Sequence, residues 1–347
     1  MSVPTHPDAF TTAWLERALA APPNTLQHFT AVPIGTGQMS LSFRVALDWR
    51  RHDGPASIVA KCPSADAGTR AIAQALKSYT LELGWYRDLS RRIDVACPAC
   101  LHSESDNADQ DFVLLLEDLA PAQQGDQLAG ASIAQIEAAL VQAARLHAPF
   151  WGDPRLHDIA WLQPSPTASA MIRQMVPALY AQFRARYAER LDGDILDLCD
   201  ALVARVDTFF DITPSALTVQ HRDLRIDNIL FSQKGGAYVV DWQTLAPGPG
   251  ASDIAYLIGT SIADPAARAR EEARLVRFYV DRLTALGAAA DAEEVWGDYR
   301  RYAFSGVLMA IIASTNVART ERGDEMFAVM AERPARQALH LDSLSLL

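Results

Sequence analysis

The residues best suited to chemistry lie in one short polar segment. Residues 219–231 read VQHRDLRIDNILF, so that charged and hydrogen-bonding side chains are concentrated between two apolar stretches. Asp223 and Asn228 belong to this segment, and Asp241 follows shortly after it in the sequence VVDW. Carboxylate and amide groups in such a pattern can accept a proton or bind a hard cation. The segment is therefore the candidate reaction centre.

A predicted β-hairpin brings these side chains together. The apolar runs ILF and YVV flank a Lys-Gly-Gly tract at 234–236, which can supply the positive φ angles of a turn. Asn228 would lie just before the first strand and Asp241 just after the second, where cross-strand neighbours are roughly 5 Å apart. We predict that Asn228 and Asp241 share Mg²⁺ and that Asp223, on the preceding loop, faces the same point.

The part of the chain before this segment has the pattern of strands and one long helix. Apolar residues alternate from Leu41 to Leu47, Asp53-Gly54 offers a turn, and Ile58–Ala60 continue as a second strand. Apolar residues from Ile72 to Ile93 then follow the spacing of a long amphipathic helix. Further strand-like segments are Val95–Leu101 and Phe112–Leu116.

After Glu117-Asp118-Leu119 the pattern becomes helical. An Ala-rich region begins with Ser132 and Gln135 in capping-box spacing, and a second helical block starts near Pro265. We predict an α+β fold of two lobes around a cleft. Residues 1–118 would form a small β-rich lobe with one long helix, and residues 119–347 a larger, mostly helical lobe that carries the hairpin at 217–242.

Composition and charge exclude several classes of partner. The chain has 347 residues, half of them apolar, and 31 basic against 42 acidic residues give a formal charge of −11, which repels nucleic acids and anionic membranes. No apolar run approaches the roughly 20 residues that cross a bilayer, and the first residues lack an export signal. We expect a soluble, cytoplasmic protein without nucleic-acid or membrane partners.

Two of the four cysteines lie close together in the chain. Cys97 and Cys100 have the spacing of a metal or redox pair. With only His102 as a near ligand candidate, packing beside a strand is the favoured interpretation.

Only Lys61, Lys77 and Lys234 are lysines among the basic residues. A lysine that falls in a motif therefore carries more weight than usual.

The pattern His221-x-Asp223-x4-Asn228, followed by Asp241, resembles the catalytic loop and metal-binding aspartate of the protein-kinase-like superfamily. Within it the chain resembles the aminoglycoside phosphotransferase and choline or ecdysteroid kinase-like families. The resemblance implies a two-lobed protein-kinase-like fold, ATP and Mg²⁺ as cofactors and Asp223 as catalytic base. The segment at 248–256 follows Asp241 so closely that the activation segment of a protein kinase has no room.

The nucleotide-binding parts implied by this resemblance can be located in order. Gly35, Gly37 and Ser40 stand where a phosphate-covering loop belongs, before the first alternating strand. Lys61 ends a strand that resembles the one whose lysine holds the α- and β-phosphates. Glu82, on the flank of the apolar stripe of the long helix, is its expected carboxylate partner.

The same resemblance assigns a hinge and raises a question about an arginine. Backbone groups of Glu117 and Leu119 would contact adenine. Arg225 would stabilise charge on the transferred phosphate, with a salt bridge to Asp227 as the alternative. Two further residues are expected to be structural, namely His147 as a buried core histidine and Asp253 as a support of the catalytic loop.

The predicted function is an ATP-dependent phosphotransferase that acts on a hydroxyl of a small molecule. From Ser261 onward the chain has 13 acidic and 11 basic residues, which is no acidic wall for polycationic antibiotics. We therefore expect a neutral or weakly charged, partly apolar alcohol. The alternatives are an aminoglycoside-type antibiotic kinase, a non-catalytic nucleotide-binding protein, a protein kinase and a metal-dependent hydrolase.

Overall fold

The computed structural model describes residues 3–35, 39–50, 53–106, 108–316 and 319–347. The chain divides into two compact units. Unit 1 comprises Met1–Arg92, Cys97–Pro121 and Asp241–Thr244, and unit 2 comprises Ile93–Ala96, Ala122–Val240 and Leu245–Leu347. Neither unit is a continuous segment, because Ile93–Ala96 belong to unit 2 and Asp241–Thr244, at the end of the predicted hairpin segment, belong to unit 1.

Unit 1 is built on a five-stranded antiparallel sheet. Its strands are β1 (Leu26–Ile34), β2 (Ser40–Trp49), β3 (Ser57–Pro63), β4 (Cys100–Ser105) and β5 (Phe112–Glu117). They pair in the order β1-β2-β3-β5-β4, so β3 lies in the middle. Strand β1 was not predicted, and β4 begins five residues after the predicted start at Val95.

One face of this sheet carries the core of unit 1. Alternate residues of the inner strands, among them Val45, Ile58 and Leu115, are 0% exposed. The short helix α1 (Thr12–Ala18) packs against β1 and contributes Leu15 to the same cluster. Successive side chains of a strand point to opposite faces of the sheet. The register that places Ile58 in the core therefore also determines the face on which every other side chain of β3 lies.

The predicted long helix after β3 is broken into shorter pieces. Helix α2 (Ala67–Ala75) ends before Lys77, which has the left-handed φ of 56°, and helix α3 (Ser78–Gly84) starts immediately after it. One π-helical turn, Trp85–Leu89, extends α3. The predicted apolar stripe is buried at Tyr79, Leu83 and Tyr86 but exposed at Ile72 and Leu76, before the break, because periodicity does not report a single left-handed residue.

Unit 2 is mostly helical. Its helices are α4 (Ile133–His147), α5 (Pro166–Tyr187), α6 (Gly193–Ala204), α7 (Val206–Phe210), α8 (Gly250–Ser261), α9 (Pro265–Ala285), α10 (Ala292–Arg301), α11 (Ser305–Asn316) and α12 (Glu321–His340). The predicted capping box of Ser132 and Gln135 starts α4. Every residue of α8 is buried, and α4, α10, α11 and α12 pack around it. This central helix therefore holds its side chains in fixed positions.

Short strands in unit 2 support the polar segment. They are β6 (Gln123–Gln124), β7 (Thr218–Gln220), β8 (Ile229–Phe231), β9 (Ala237–Val239) and β10 (Ala246–Gly248). Strands β8 and β9 form the predicted hairpin, with β6 on the other side of β8, and β7 pairs with β10. The α+β class of the fold is confirmed. In the described part of the chain, no helix has the length and apolar character needed to cross a membrane.

We expect Val45→Ala to lower the free energy of unfolding of unit 1 by about 2 kcal/mol, because buried methyl groups are lost and a cavity remains. Val45 is 0% exposed, whereas Val32 on the neighbouring strand is 54% exposed. Val32→Ala makes the same chemical change and should cost at most about 0.5 kcal/mol. Urea unfolding followed by circular dichroism measures both, and equal losses would contradict the assignment of the core face.

Candidate active site

A buried lysine between two carboxylates forms the first candidate cluster, within unit 1. Lys61 lies on β3, the central strand of the sheet, and is 8% exposed. Its Nζ donates to Glu82 Oε1 at 2.7 Å and to Asp241 Oδ1 at 2.8 Å. The predicted ion pair between Lys61 and Glu82 is therefore present. Asp241 joins it as a second partner.

The electrostatics of this cluster explain why a lysine is buried there. Burial alone would lower the pKa of Lys61, but the negative charges of Asp241 and Glu82 outweigh burial and raise that pKa above its ordinary value. Burial raises the pKa of Glu82, and the charge of Lys61 opposes that effect. Two carboxylates face one ammonium group, so the cluster can take up further positive charge.

Asp241 is held in place by its backbone and its neighbours. Its φ is 69°, in the left-handed region that costs a non-glycine residue about 1–3 kcal/mol. Gln243 Nε2 donates to Asp241 Oδ2 at 3.0 Å. Next to it the buried Trp242 stacks on Trp85, with ring centroids 3.7 Å apart. The packing of Trp242 therefore stabilises an unfavourable backbone at a chemically important position.

The predicted phosphate loop is described only in part. Gly35 has the positive φ of 71° expected of a turn glycine, and Ser40 is buried at the start of β2. Gly37 lies outside the described residues. The hydroxyl of Tyr79, on α3, donates to the carbonyl oxygen of Met39 at 2.7 Å, which ties the end of this loop to the helix that carries Glu82. A phosphate contact of the loop stays a prediction.

The predicted adenine hinge follows β5. The backbone N–H of Glu117 donates to the carbonyl of Ala99 at 2.9 Å, and Glu117 Oε2 accepts from the N–H of Ala99 at 3.2 Å. Arg44 donates to Asp118 from Nε at 2.7 Å and from Nη2 at 3.2 Å, which fixes the next residue. Because the Glu117 N–H is engaged by Ala99, an adenine contact of Glu117 would use its carbonyl oxygen, and the contacts of Glu117 and Leu119 with adenine stay predictions.

The second cluster, within unit 2, surrounds Asp223. Its Oδ1 accepts a hydrogen bond from the hydroxyl of Tyr256 at 3.0 Å, and its Oδ2 accepts one from Asn228 Nδ2 at 2.8 Å. Asn228 Nδ2 also donates to the carbonyl oxygen of Asp223 at 2.9 Å. Arg225 Nε lies 3.4 Å from Asp223 Oδ1. Donors on both oxygens fix the orientation of a carboxylate that is still 21% exposed and can accept another hydrogen bond.

Helix α8 also fixes the backbone that carries Asp223. The buried carboxylate of Asp253 accepts from the N–H of His221 at 2.6 Å and from the N–H of Arg222 at 2.8 Å. His147 Nε2 lies 3.2 Å from Asp253 Oδ2, and His147 itself is fully buried, as predicted. Asp253 therefore makes the contacts expected of a support for the loop.

A glycine allows this support to pack closely. His147 Nδ1 lies 2.7 Å from the hydroxyl of Tyr279, so that a neutral His147 can accept from Tyr279 and donate to Asp253. A Cβ on Gly250, the first residue of α8, would lie 2.6 Å from the Tyr279 hydroxyl and 2.8 Å from His147 Nδ1. Only glycine permits the start of α8 to approach this pair.

Arg225 takes the partner that the sequence offered as an alternative. Its guanidinium pairs with Asp227, and its Nη1 lies 3.6 Å from the sulfur of Met326 on α12. Burial alone would lower the pKa of Arg225, but the negative charges of Asp223 and Asp227 outweigh burial and raise that pKa above its ordinary value. The salt bridge is largely buried rather than on the surface, since the Arg225 side chain is 18% exposed. A contact of Arg225 with phosphate stays a prediction.

Two residues of these clusters have roles that the sequence analysis missed. Tyr256 follows Asp253 by three positions, which is one helical turn, and this spacing is the signal that could have placed both on the same face of α8. Gln243 follows Asp241 in an irregular segment, where no periodicity identifies the direction of a side chain.

The residues predicted to bind Mg²⁺ have suitable chemistry. Because the amide nitrogen of Asn228 is engaged by Asp223, its oxygen is the atom that can face a cation. Asp241 supplies a carboxylate, and both are hard oxygen ligands of the kind Mg²⁺ prefers. The structure brings Lys61, Glu82 and Asp241 together in unit 1, and Asp223, Arg225 and Asn228 together in unit 2.

A metal site of another kind is not indicated. Among the described residues, no group of three or more His, Cys, Asp or Glu could hold a metal. Cys97 and Cys100 are free thiols, and burial raises the pKa of Cys97 to about 11. A protonated, half-buried thiol fits the packing role expected of this pair.

Comparison with known proteins places the chain in a family. A model of the phosphotransferase enzyme family matches residues 47–297, well over half of the chain. A sequence search among curated proteins finds no match.

Solved structures share the fold over most of the chain at low identity. Choline kinase LicA from Streptococcus pneumoniae is 12% identical, with a TM-score of 0.50 over 96% of this chain and 98% of that one. APH(2″)-IIa in its gentamicin complex is 14% identical, with a TM-score of 0.52 over 92% and 96% of the two chains. Spectinomycin phosphotransferase APH(9)-Ia, in complex with ADP and spectinomycin, is 11% identical, with a TM-score of 0.50 over 93% and 94%.

These similarities show a protein-kinase-like α+β fold, as predicted. Together with the family match they establish that the chain belongs to the phosphotransferase enzyme family, whose members are small-molecule kinases that phosphorylate hydroxyl groups.

Proposed function

We propose that this phosphotransferase uses ATP with Mg²⁺ and transfers the γ-phosphate to the hydroxyl of a small, neutral or weakly charged alcohol, with Asp223 as the base. The observation that carries the proposal is the pairing of the buried Lys61 with Glu82 and Asp241. Burying a lysine is unfavourable unless its charge is matched, so a buried lysine between two carboxylates in a kinase-like sheet supports a nucleotide function.

Lys61 is the proposed ligand of the ATP phosphates. An ammonium group has three donors, of which Glu82 and Asp241 each take one, so that one remains for a phosphate oxygen. Glu82 would keep Lys61 in position, because it is 2% exposed and its helix is tied to the loop before β2. The ADP complex of a structurally similar phosphotransferase supports a nucleotide as the donor.

Asn228 and Asp241 are the proposed ligands of Mg²⁺. The amide oxygen of Asn228 and the carboxylate of Asp241 would hold the ion, which supplies positive charge to the phosphates when it is bound. The excess negative charge of the Lys61 cluster is consistent with this role.

Asp223 is the proposed partner of the acceptor hydroxyl. Its carboxylate is fixed by Tyr256 and Asn228 and still has acceptor capacity. In phosphoryl transfer the acceptor oxygen attacks the γ-phosphorus, the bond from that phosphorus to the β,γ-bridging oxygen breaks and ADP leaves, while the acceptor's proton passes to a base. A loose transition state makes orientation more important than base strength. Asp223 would hold the hydroxyl in line and take its proton. Arg225 lies beside it and would balance negative charge that develops near the acceptor.

The charges around the catalytic loop support a neutral acceptor. Three carboxylates of unit 2 have arginine partners: Asp227 pairs with Arg225, Asp324 with Arg186 and Arg319, and Asp126 with Arg322. Met326 adds an apolar thioether beside Arg225. Paired carboxylates offer little to a polycation, whereas a thioether favours a partly apolar alcohol.

We expect Asp223→Asn to abolish phosphoryl transfer and to leave binding of Mg-ATP within about twofold of the unchanged protein, because Asp223 acts at the acceptor hydroxyl. ADP release with a working acceptor measures the first effect, and calorimetric titration with Mg-ATP measures the second. Turnover of the variant near that of the unchanged protein would remove Asp223 from the mechanism.

Lys61→Met should weaken ATP binding by about 10- to 100-fold, because a charge-assisted hydrogen bond to phosphate is lost. Lys234→Met is the matched control, since Lys234 is exposed in the turn between β8 and β9. Calorimetric titration gives both affinities, and thermal melting checks that Lys61→Met is folded. Equal affinities of the two folded variants would show that Lys61 does not bind the nucleotide.

A panel of acceptors tests the substrate class. We expect ADP release above the acceptor-free rate with neutral hydroxylated compounds and none with kanamycin, because several exposed ion pairs of about 0–1 kcal/mol each are needed to hold a polycation. Efficient turnover of kanamycin that falls as salt rises would reverse the assignment. ADP release that no acceptor increases would indicate a hydrolase, and ATP binding without release would indicate a non-catalytic protein.

A further inference from the structure

One face of helix α8 contacts three consecutive residues of the catalytic loop. Asp253 accepts from the backbone N–H groups of His221 and Arg222, and Tyr256 donates to the side chain of Asp223 at 3.0 Å. Asp253 and Tyr256 are three positions apart, so they lie on the same face of the helix. The helix therefore fixes the loop backbone with one side chain and the orientation of Asp223 with another.

The bond from Tyr256 is made to the oxygen of Asp223 that also faces an arginine. Oδ1 accepts from the Tyr256 hydroxyl, while Arg225 Nε is 3.4 Å away from the same atom. That separation is longer than the 2.7–2.9 Å typical of a charge-assisted hydrogen bond. Oδ2 has a separate donor, Asn228. Tyr256 thus satisfies Oδ1 with a neutral donor, and the ion pair of Asp223 with Arg225 stays at 3.4 Å, longer than a direct charge-assisted hydrogen bond.

The tyrosine is suited to be a permanent donor. Tyr256 is 2% exposed, and burial, together with the charge of Asp223, raises its pKa well above the ordinary value. It therefore remains protonated and donates a hydrogen bond without changing charge. All of α8 is buried, so the ring has little freedom to turn away from Asp223.

We propose that Tyr256 is a positioning residue for the transfer step, which holds the Asp223 carboxylate in the orientation that receives the acceptor hydroxyl and prevents it from closing on Arg225. The inference rests on the proposed role of Asp223. Without the Tyr256 hydroxyl, Asp223 Oδ1 would turn toward the guanidinium of Arg225. The acceptor would then meet a rotated carboxylate that already accepts a direct hydrogen bond from Arg225.

The test compares two tyrosine variants of the full chain. Tyr256→Phe removes only the hydroxyl, and Tyr299→Phe makes the same change at another buried tyrosine, whose hydroxyl donates to Glu272 at 3.2 Å and accepts from Gln337 at 2.6 Å. Tyr299 belongs to neither candidate cluster. Tyr256→Phe loses the hydrogen bond to Asp223 and Tyr299→Phe loses two buried hydrogen bonds, so both variants should melt at a somewhat lower temperature.

The kinetic constants separate positioning from folding. For Tyr256→Phe we expect kcat to fall by about 10- to 100-fold, with KM for ATP and the affinity for ATP within about twofold of the unchanged protein. Tyr299→Phe should keep kcat within about twofold. A normal kcat for Tyr256→Phe, or equal losses in both variants, would overturn the proposal.

A crystal structure of Tyr256→Phe gives a readout that needs no acceptor. The distance between Arg225 Nε and Asp223 Oδ1 should shorten to about 2.7–2.9 Å as the carboxylate rotates. An unchanged carboxylate would overturn the proposal even if no acceptor were known. Asp223→Asn keeps the two hypotheses apart: if it is active, the base assignment fails, whereas an inactive Asp223→Asn beside a normal Tyr256→Phe contradicts only the role of Tyr256.

Discussion

The geometry of the catalytic loop depends on the buried carboxylate of Asp253. Arg222 has a φ of 68°, a left-handed backbone that costs a non-glycine residue about 1–3 kcal/mol. Charge-assisted hydrogen bonds from the N–H groups of His221 and Arg222 to Asp253 offset this cost. The turn that these hydrogen bonds stabilise places Asp223 next to α8, where the hydroxyl of Tyr256 donates a hydrogen bond to its carboxylate. A strained backbone and a buried charge, each unfavourable alone, therefore stabilise one another.

In unit 1 a single buried cation, Lys61, pairs with two carboxylates, Glu82 and Asp241. The chain uses arginine for most of its positive charges, yet a lysine occupies this position. The compact ammonium of Lys61 reaches Glu82 and Asp241 within 2.8 Å and keeps a donor to spare. A guanidinium is wider and planar, with donors in a rigid fork, so the same two carboxylates would have to move apart. The space between β3, which carries Lys61, and α3, which carries Glu82, therefore favours lysine over arginine at this position.

The sequence was sufficient where chemistry and local periodicity agree. The hairpin after Asn228 and the capping box at Ser132 follow from turn glycines and cap spacing. The ion pair of Lys61 was expected from the family resemblance, and the flank of an apolar stripe selected Glu82 as the partner. The break at Lys77 could not be predicted, since a single left-handed residue leaves no trace in the spacing. The bond of Tyr256 to Asp223 was also missed, because contacts between distant elements depend on how helices pack.

The division of the chain has a consequence for its synthesis. Residues up to Pro121 are translated before Asp241–Thr244 and contain every strand of the five-stranded sheet, yet Asp241–Thr244 also belong to that unit. Segments near the amino terminus generally fold first during translation. A nascent sheet would then hold Lys61 and Glu82 before their third partner exists. Lys61 would have Glu82 as its single carboxylate partner until more than a hundred further residues had been added. The charge balance of unit 1 is therefore completed late, by Asp241, which follows a long stretch of unit 2 in the chain.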